Sequence, residues 1–425
     1  MKIQFAITEY LPDVFGGAEV YTHNLATALA ERGHEVSVVS PGIVRRNTEE
    51  HEDVTDGIPV HRFAFVPHHI TPAEYAVRFY PELYDEALEW FRGTRPDVVH
   101  VTNSWFMAPV VFAAATCGIP VIGTHVDFLW HCKESHLLKP DGESCDNWPE
   151  QDCRACHADL KDEEWDAVWS RRQAMYRLQA EVYALHHCPC QLLAEQILAL
   201  GANPETVEVW PYGVPDSLLL QRRTKHSGDT LHLGFIGRWN RIKGIDVLLD
   251  AMALLKDRQD IELHLYGEQE VWNSDDYGAE MAEKAAALKQ VFNHGRFEPS
   301  ELGKVHQSID CMVTPSIWPE NSPVSIQESL ALGTPVICAD GAGMTNLIEH
   351  GRSGLVFVSR NAASLAERVV ALADDTELLG RLQRNAKCLG RISEDVARFE
   401  GVYTAALPAS CKLAGRMTAW MASSL

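Results

Sequence analysis

Short apolar runs separated by helical patterns organise the chain. Residues 2–7 (KIQFAI) are apolar and read as a first strand. Gly16-Gly17 opens a segment in which Tyr21, Leu25, Ala28 and Leu29 share one helical face. Gly33 ends it, and Val36, Val38 and Val39 make the next strand. Strand, helix, strand within about forty residues is a βαβ unit and predicts a parallel sheet. Residues 97–101 (DVVHV) and 120–124 (PVIGT) continue the strand series, 165–187 reads as helix, and 207–214 as a strand running into a turn. The polar stretch 222–230 reads as a linker, after which the alternation restarts. Strands are expected at 231–236, 261–266, 291–295, 311–315 and 335–339, and helices at 244–256, 299–307 and 323–332. Two runs of alternating elements predict an α/β protein with two doubly wound, Rossmann-like domains. The expected boundaries are 1–221, with an insertion at 131–165, then 222–393, then a helical tail at 394–425, whose packing back on the first domain the sequence leaves open.

Composition narrows the functions. The 425 residues carry 59 acidic against 37 basic side chains, a formal charge of -22. So acidic a chain is a poor partner for nucleic acid, whose phosphates need Lys- and Arg-rich surfaces. Glu9 stands where a signal peptide needs an uncharged core, so a cytoplasmic, reducing compartment is expected, with contact at the inner face of the membrane left open. The uncharged stretch 106–124 is broken by Pro109, Gly118 and Pro120, and reads as a buried helix followed by a buried strand. Arg171, Arg172 and Arg177, in the segment 166–178, suggest at most a peripheral membrane contact and more simply a solvated helix face.

Ligands of open α/β sheets bind beyond the carboxyl ends of the strands, so the loops there carry the chemistry. Gly16 and Gly17 follow the first strand and permit close approach of a ligand to a helix N-terminus. Residues 237–244 (GRWNRIKG) follow the first strand of the second domain. They lack the G-x-G-x-x-G dinucleotide fingerprint and instead offer Arg238 and Lys243, a planar fork and a point charge suited to a diphosphate. In 315–328 (PSIWPENSPVSIQE), Glu320 and Glu328 stand eight positions apart and can face one ligand. Backbone N–H groups around Asn321, Ser322 and Val324 can cap a phosphate, whereas Pro323 has none to give.

These segments together resemble the retaining, nucleotide-sugar-dependent glycosyltransferases of the GT-B fold, specifically family 4, over nearly the whole chain. GRWNRIKG, the E-x7-E of PENSPVSIQE, the run SLALGTPVICADGAGMTNLIEHGRSGLVF and the first-domain GGAEVYTHNLATALAERGHEV carry the resemblance. It implies two domains facing across a cleft, and transfer of a sugar from a nucleoside-diphosphate donor to a hydroxyl of a glycan, lipid-linked or small-molecule acceptor. By that resemblance Arg238 and Lys243 hold the diphosphate, Glu320 lies by the sugar and Glu328 bonds the ribose. Residues Asn321, Ser322, Pro323 and Val324 meet phosphate or sugar, and Gly16 and Gly17 lie at the cleft. No D-x-D triplet occurs, so fixed cations and helix N-termini are expected to replace a catalytic metal ion. The family's His after the strand matching 120–124 would fall on Val126; His125 is the nearest candidate, with Asp127 as an orienting or acceptor group. His100 is given no catalytic role. A nucleotide-sugar epimerase or phosphorylase on the same fold is the alternative, and a binding protein without catalysis the third reading.

Cys132, Cys145, Cys153 and Cys156 form a C-x12-C-x7-C-x2-C pattern in a polar insertion with few apolar residues to fold around. A structural Zn2+ would supply the missing stability, with His131, His136 and His157 as substitute ligands. Free thiols, disulfides or an iron–sulfur cluster remain alternatives. Cys188 and Cys190 read as buried structure.

Overall fold

The computed structural model describes residues 1–12, 16–41, 51–64, 77, 79–102, 106–145, 153–157, 161–222, 228–267, 276–406, 408 and 411–422, apart from the side chains of 155, 157, 162, 163, 411 and 412. Two compact units form: residues 1–211 with 392–425, and residues 212–391.

In the first unit the order is β1 (Lys2–Ala6), α1 (Gly17–Glu31), β2 (Glu35–Ser40), β3 (His51–Thr55), β4 (Ile58–Arg62), α2 (Pro81–Thr94), β5 (Val98–Thr102), α3 (Ala108–Thr116), β6 (Val121–Thr124), α4 (Asp162–Val182), β7 (Leu185–Cys188), α5 (Gln191–Ala199) and β8 (Val207–Val209). The sheet runs β3-β4-β2-β1-β5-β6-β7-β8. Its pairs are parallel except β3–β4, a hairpin turned by Asp56-Gly57 with both residues at positive φ. Asp-Gly is a strong hairpin signal that the apolar pattern alone passes over. The stretch 106–124 is a buried helix, α3, followed by a buried strand, β6. The helix expected over 165–187 stops at Val182, and β7 follows it. Two consecutive histidines, His186 and His187, mask that strand in the sequence; both are fully buried because each ring nitrogen at Nε2 meets a backbone carbonyl, of Ala180 and Trp210 respectively.

The second unit follows as β9 (Leu231–Ile236), α6 (Ile245–Leu254), β10 (Ile261–Tyr266), α7 (Tyr277–Ala286), β11 (Val291–Gly295), α8 (Leu302–Ser308), β12 (Cys311–Thr314), α9 (Val324–Ala331), β13 (Val336–Ala339), α10 (Ala342–Thr345), β14 (Gly354–Phe357), α11 (Ala362–Asp374) and α12 (Thr376–Asn385). Its all-parallel sheet has the order β11-β10-β9-β12-β13-β14. That is the doubly wound 3-2-1-4-5-6 arrangement, whose direction reverses between β9 and β12. β12 and β13 are buried throughout, whereas the starts of β9 and β10 alternate buried apolar residues with partly exposed polar ones and β11 is largely exposed; Leu233, Leu263, Leu265, Val313 and Ile337 are among the buried residues.

The boundary lies at Pro211/Tyr212, ahead of the expected linker, most of which (223–227) falls outside the described residues. The physical reason is local: Val214 and Leu218 bury against Ala331 and Leu332 of the second unit. At the other end, α13 (Ile392–Ala405) and α14 (Cys411–Ala422) belong to the first unit. Tyr21 donates to Asp395 at 2.8 Å, and Arg32 holds Glu400 through two bonds of 2.7 and 2.8 Å. Among the described residues, no helix is long and apolar enough to cross a membrane. Arg172 is fully buried, donates to the Leu129 carbonyl and stacks on Tyr176, so it does not belong to a solvated basic face.

Candidate active site

The loops that follow β9 and β12 emerge side by side at the point where the second sheet reverses its order. Two close approaches hold them together. Gly244 precedes α6 at φ 67°, and a methyl group there would sit 2.1 Å from the Pro315 carbonyl oxygen. Only glycine lets the start of α6 lie so close to the β12 loop. Ile317 N–H then donates to the Ile242 carbonyl at 2.9 Å, locking the two loops together.

This joins the two motifs chemically. The Lys243 ammonium lies 2.7 Å from Glu320 Oε1, and the Ser316 hydroxyl donates to the same oxygen at 2.7 Å. Glu320 is 3% exposed and sits at φ 52°, the left-handed region that side-chain-bearing residues avoid. Such a conformation costs about 1–2 kcal/mol and persists only where the surroundings enforce it. Gly343 packs against this backbone: a methyl group at Gly343 would meet the carbonyl oxygens of Glu320 and Asn321 at 2.3 and 2.4 Å, and the Gly343 N–H donates to the Pro319 carbonyl at 2.9 Å. The 340–343 turn thus presses directly on the glutamate's backbone. Lys243 also lies 5.4 Å from the centre of the Trp318 ring. Arg238 is exposed beyond the end of β9. A buried carboxylate and an ammonium therefore meet at the switch point, with the exposed Arg238 on the same loop as Lys243, an arrangement able to hold a polar ligand and stabilise growing negative charge.

Asn321, Ser322 and Pro323 are buried at the start of α9, which no side chain caps. One expectation needs correction: the Ser322 N–H is taken by Asn321 Oδ1, so it does not await a ligand. The Gln327 amide bonds the Ser322 hydroxyl at 3.1 Å and holds this turn, and the Asn321 amide reaches the Tyr212 hydroxyl at 3.5 Å. Ser316, Gly343 and Tyr212 were not singled out from sequence. For Gly343 the signal was present in the Gly-Ala-Gly of 341–343, but its role needs the fold.

Glu328 lies on α9, half-buried, its side chain making no hydrogen bond or ion pair among the described residues. Desolvation pushes its carboxyl up to about 7. Its pKa is thus higher folded than unfolded. The native state binds the proton more tightly, so stability falls as pH rises from about 4.5 to 7 and stays reduced above that. Glu328→Gln removes the buried charge. It is expected to stabilise the protein by roughly 1–3 kcal/mol at pH 8 and to change little at pH 4.5, read by chemical denaturation at both pH values. Equal effects at the two pH values would contradict the assignment.

In the first unit, Gly16 caps α1 without a side-chain bond, beyond the end of β1. His125 differs from its expected role. It is 2% exposed, its Nε2 lies 3.0 Å from His186 Nδ1, and its ring packs on Trp130 and Tyr183. Burial holds it well below the usual imidazole range. Asp127 Oδ1 accepts the Leu129 N–H at 2.9 Å and closes a local turn. His100 bonds Tyr403 at 2.6 Å and Thr124 at 2.8 Å, using both ring nitrogens in the core.

The insertion gathers its cysteines. Cys132 and Cys153 are buried, Cys145 and Cys156 half-buried. Burial and the neighbouring thiols push Cys153 up to about 12 and Cys156 up to about 11, with Cys132 and Cys145 contributing to both. As described, they do not form a set of three ligand atoms within 4.8 Å of one another. His131 is engaged elsewhere, its Nε2 3.0 Å from the Gln196 carbonyl, and His136 accepts the Leu138 N–H. The side chain of His157 lies outside the described residues. Cys188 and Cys190 are buried. Among the described residues, His232, Glu262 and His264 bring three ligand atoms within 4.8 Å of one another, a set the sequence alone does not single out.

Comparison with known proteins places these observations. Residues 219–388 match the family described as glycosyl transferases group 1, and residues 16–213 match the glycosyl transferase 4-like domain. An uncharacterized glycosyltransferase of Methanocaldococcus jannaschii is 24% identical over 396 residues, covering 91% of this chain and 93% of the relative. The D-inositol 3-phosphate glycosyltransferase of Pseudarthrobacter chlorophenolicus is 28% identical over 381 residues, 85% of this chain and 82% of that one. Among solved structures, Anabaena HepE in complex with UDP-glucose matches with a TM-score of 0.67 at 17% identity, covering 94% of this chain and all of the other.

Proposed function

Because this chain belongs to the group 1, GT4-like glycosyltransferases, with two parallel-sheet α/β domains of the GT-B type, we propose that it moves a sugar from a nucleoside-diphosphate donor to an acceptor hydroxyl, with retention of configuration and without a catalytic metal ion. The observation that carries the reading is the Lys243–Glu320 contact of 2.7 Å at the switch point. Cleaving the anomeric bond builds charge on the leaving phosphate. In this reading Lys243 and Arg238 neutralise it, in the role a divalent ion has elsewhere. Glu320, fixed by Ser316 and the Gly343 turn, faces the sugar. Glu328 accepts hydrogen bonds from the ribose hydroxyls, for which an unpartnered carboxylate is suited. The backbone at Asn321 and Val324 and the glycines Gly16 and Gly17 complete the donor contacts.

The test is release of nucleoside diphosphate by the purified chain. UDP-glucose is the first donor to try, since HepE holds it, beside GDP-, ADP- and dTDP-sugars, and a polyol phosphate is the first acceptor. Turnover is expected to persist in EDTA. Turnover abolished by the chelator while the protein remains folded would end the metal-independent reading. Retention is read from the anomeric configuration of the product.

For the insertion, Cys132, Cys145, Cys153 and Cys156 would hold a structural Zn2+. Soft thiolates suit that ion, and a polar insertion needs a substitute for a core. Cys153→Ser is expected to remove one equivalent of zinc by elemental analysis and to lower the melting temperature. Unchanged zinc content would remove the assignment.

A further inference from the structure

The starts of β9 and β10 carry a second cluster, at the opposite end of the sheet from the Lys243 and Glu320 loops. In their parallel register His232 pairs with Glu262, and His264 follows two residues on. The period-two alternation of strands puts all three side chains on one face. Three atoms converge there: His232 Nδ1 lies 3.1 Å from His264 Nε2 and 3.2 Å from Glu262 Oε2, and His264 Nε2 lies 3.6 Å from that same oxygen. A tetrahedral ion with nitrogen and oxygen ligands at about 2.0–2.1 Å keeps them about 3.3 Å apart. The observed separations bracket that edge length, so the three atoms already outline one face of a coordination tetrahedron.

The surroundings agree. His264 Nδ1 lies 3.0 Å from His294 Nε2 on β11. A proton donated by His264 Nδ1 to His294 Nε2 leaves the His264 Nε2 lone pair facing the triangle, the outer bond that metal-binding histidines commonly make. A lone pair on His264 Nε2 and the carboxylate oxygen then face each other, and a single proton on His232 Nδ1 cannot serve both fully. A cation serves all three atoms at once. The backbone beneath is anchored, since the His232 N–H donates to Asp310 at 2.9 Å. The side chains are 23%, 33% and 14% exposed, so an ion can enter and water can complete its shell.

We propose that His232, Glu262 and His264 form a binding site for one divalent transition-metal ion of the zinc class, which ties β9 to β10. Two imidazoles and a carboxylate select zinc, cobalt or nickel over magnesium or calcium. The site lies away from the sugar-transfer loops and is independent of the function proposed for them.

The test uses the full chain, stripped with a chelator and titrated with Co2+ and with Zn2+, as wild type and as Glu262→Gln and His264→Gln. Wild type is expected to bind one equivalent through nitrogen and oxygen, giving weak visible cobalt bands without thiolate charge transfer. Both variants are expected to lose that equivalent, or at least tenfold in affinity. Any thiolate-to-cobalt absorption from the cysteine insertion should be unchanged in them, as should nucleoside diphosphate release. Zinc should raise the melting temperature of wild type more than that of either variant. Equal stoichiometry, affinity and cobalt spectra in wild type and both variants would overturn the proposal. Retention of the fold by the more conservative Glu262→Gln keeps the test valid if His264→Gln unfolds.

Discussion

Lys243→Ala is expected to lower turnover by about 10²–10³-fold, the loss typical of removing one preorganised group that stabilises transition-state charge. The substitution has a second effect that has to be separated. Glu320 is buried, and removing its ammonium partner leaves an uncompensated charge, at a cost on the order of 3–5 kcal/mol. The double variant Lys243→Ala/Glu320→Gln removes both charges. It is expected to recover much of the stability in a denaturation experiment and none of the turnover. Arg238→Ala, at an exposed position, should reduce nucleoside diphosphate release with little change in stability. Turnover within a few-fold of wild type in the folded Lys243→Ala protein would remove the assigned phosphate site.

Gly343→Ala should be nearly as damaging despite adding one methyl group. That carbon would lie 2.3 Å from the Glu320 carbonyl oxygen and 2.4 Å from that of Asn321, so the backbone of the site has to move. Backbone yields less readily than side chains, and overpacking of this kind costs typically about 1–3 kcal/mol or somewhat more. The shift falls on a residue already held at φ 52°, so loss of turnover should exceed what the stability change alone would cause. Gly401→Ala is the matched control. It lies in α13 with nothing close to the added carbon, and is expected to be neutral or stabilising by up to about 1 kcal/mol. Full activity in Gly343→Ala would show that the 340–343 turn does not shape the site.

The alternation of strand and helix was legible because each βαβ unit writes its own period: two apolar runs, an amphipathic stretch, and glycine between. The loops after β9 and β12 were legible for a related reason, since charged residues immediately after apolar strands have few structural uses. What lay hidden depends on contacts between distant positions. His125 stands one residue from the expected place, and only the packing of Trp130, Tyr183 and His186 around it decides that it points inward. The His232, Glu262 and His264 set needs the β9–β10 register, although Glu262 and His264 alone, two apart in a strand, already shared a face. The boundary at Tyr212 was obscured because Val214 and Leu218 precede the polar segment that looks like a linker, yet bury in the second unit. β7 was concealed by histidines whose hydrogen-bond partners come from Ala180 and Trp210.

The second unit is inserted within the first, and its two ends are neighbours: the Val214 N–H donates to the Gly390 carbonyl at 3.1 Å. A polypeptide emerging from the ribosome therefore finishes the inserted unit before α13 appears. Until then the nascent first unit lacks Phe399 and Tyr403, which pack tilted and edge-on against His100, and Asp395, which accepts the Tyr21 hydroxyl. The early-synthesised half of the molecule is thus the last to mature, and it is the half a chaperone would have to shelter during translation.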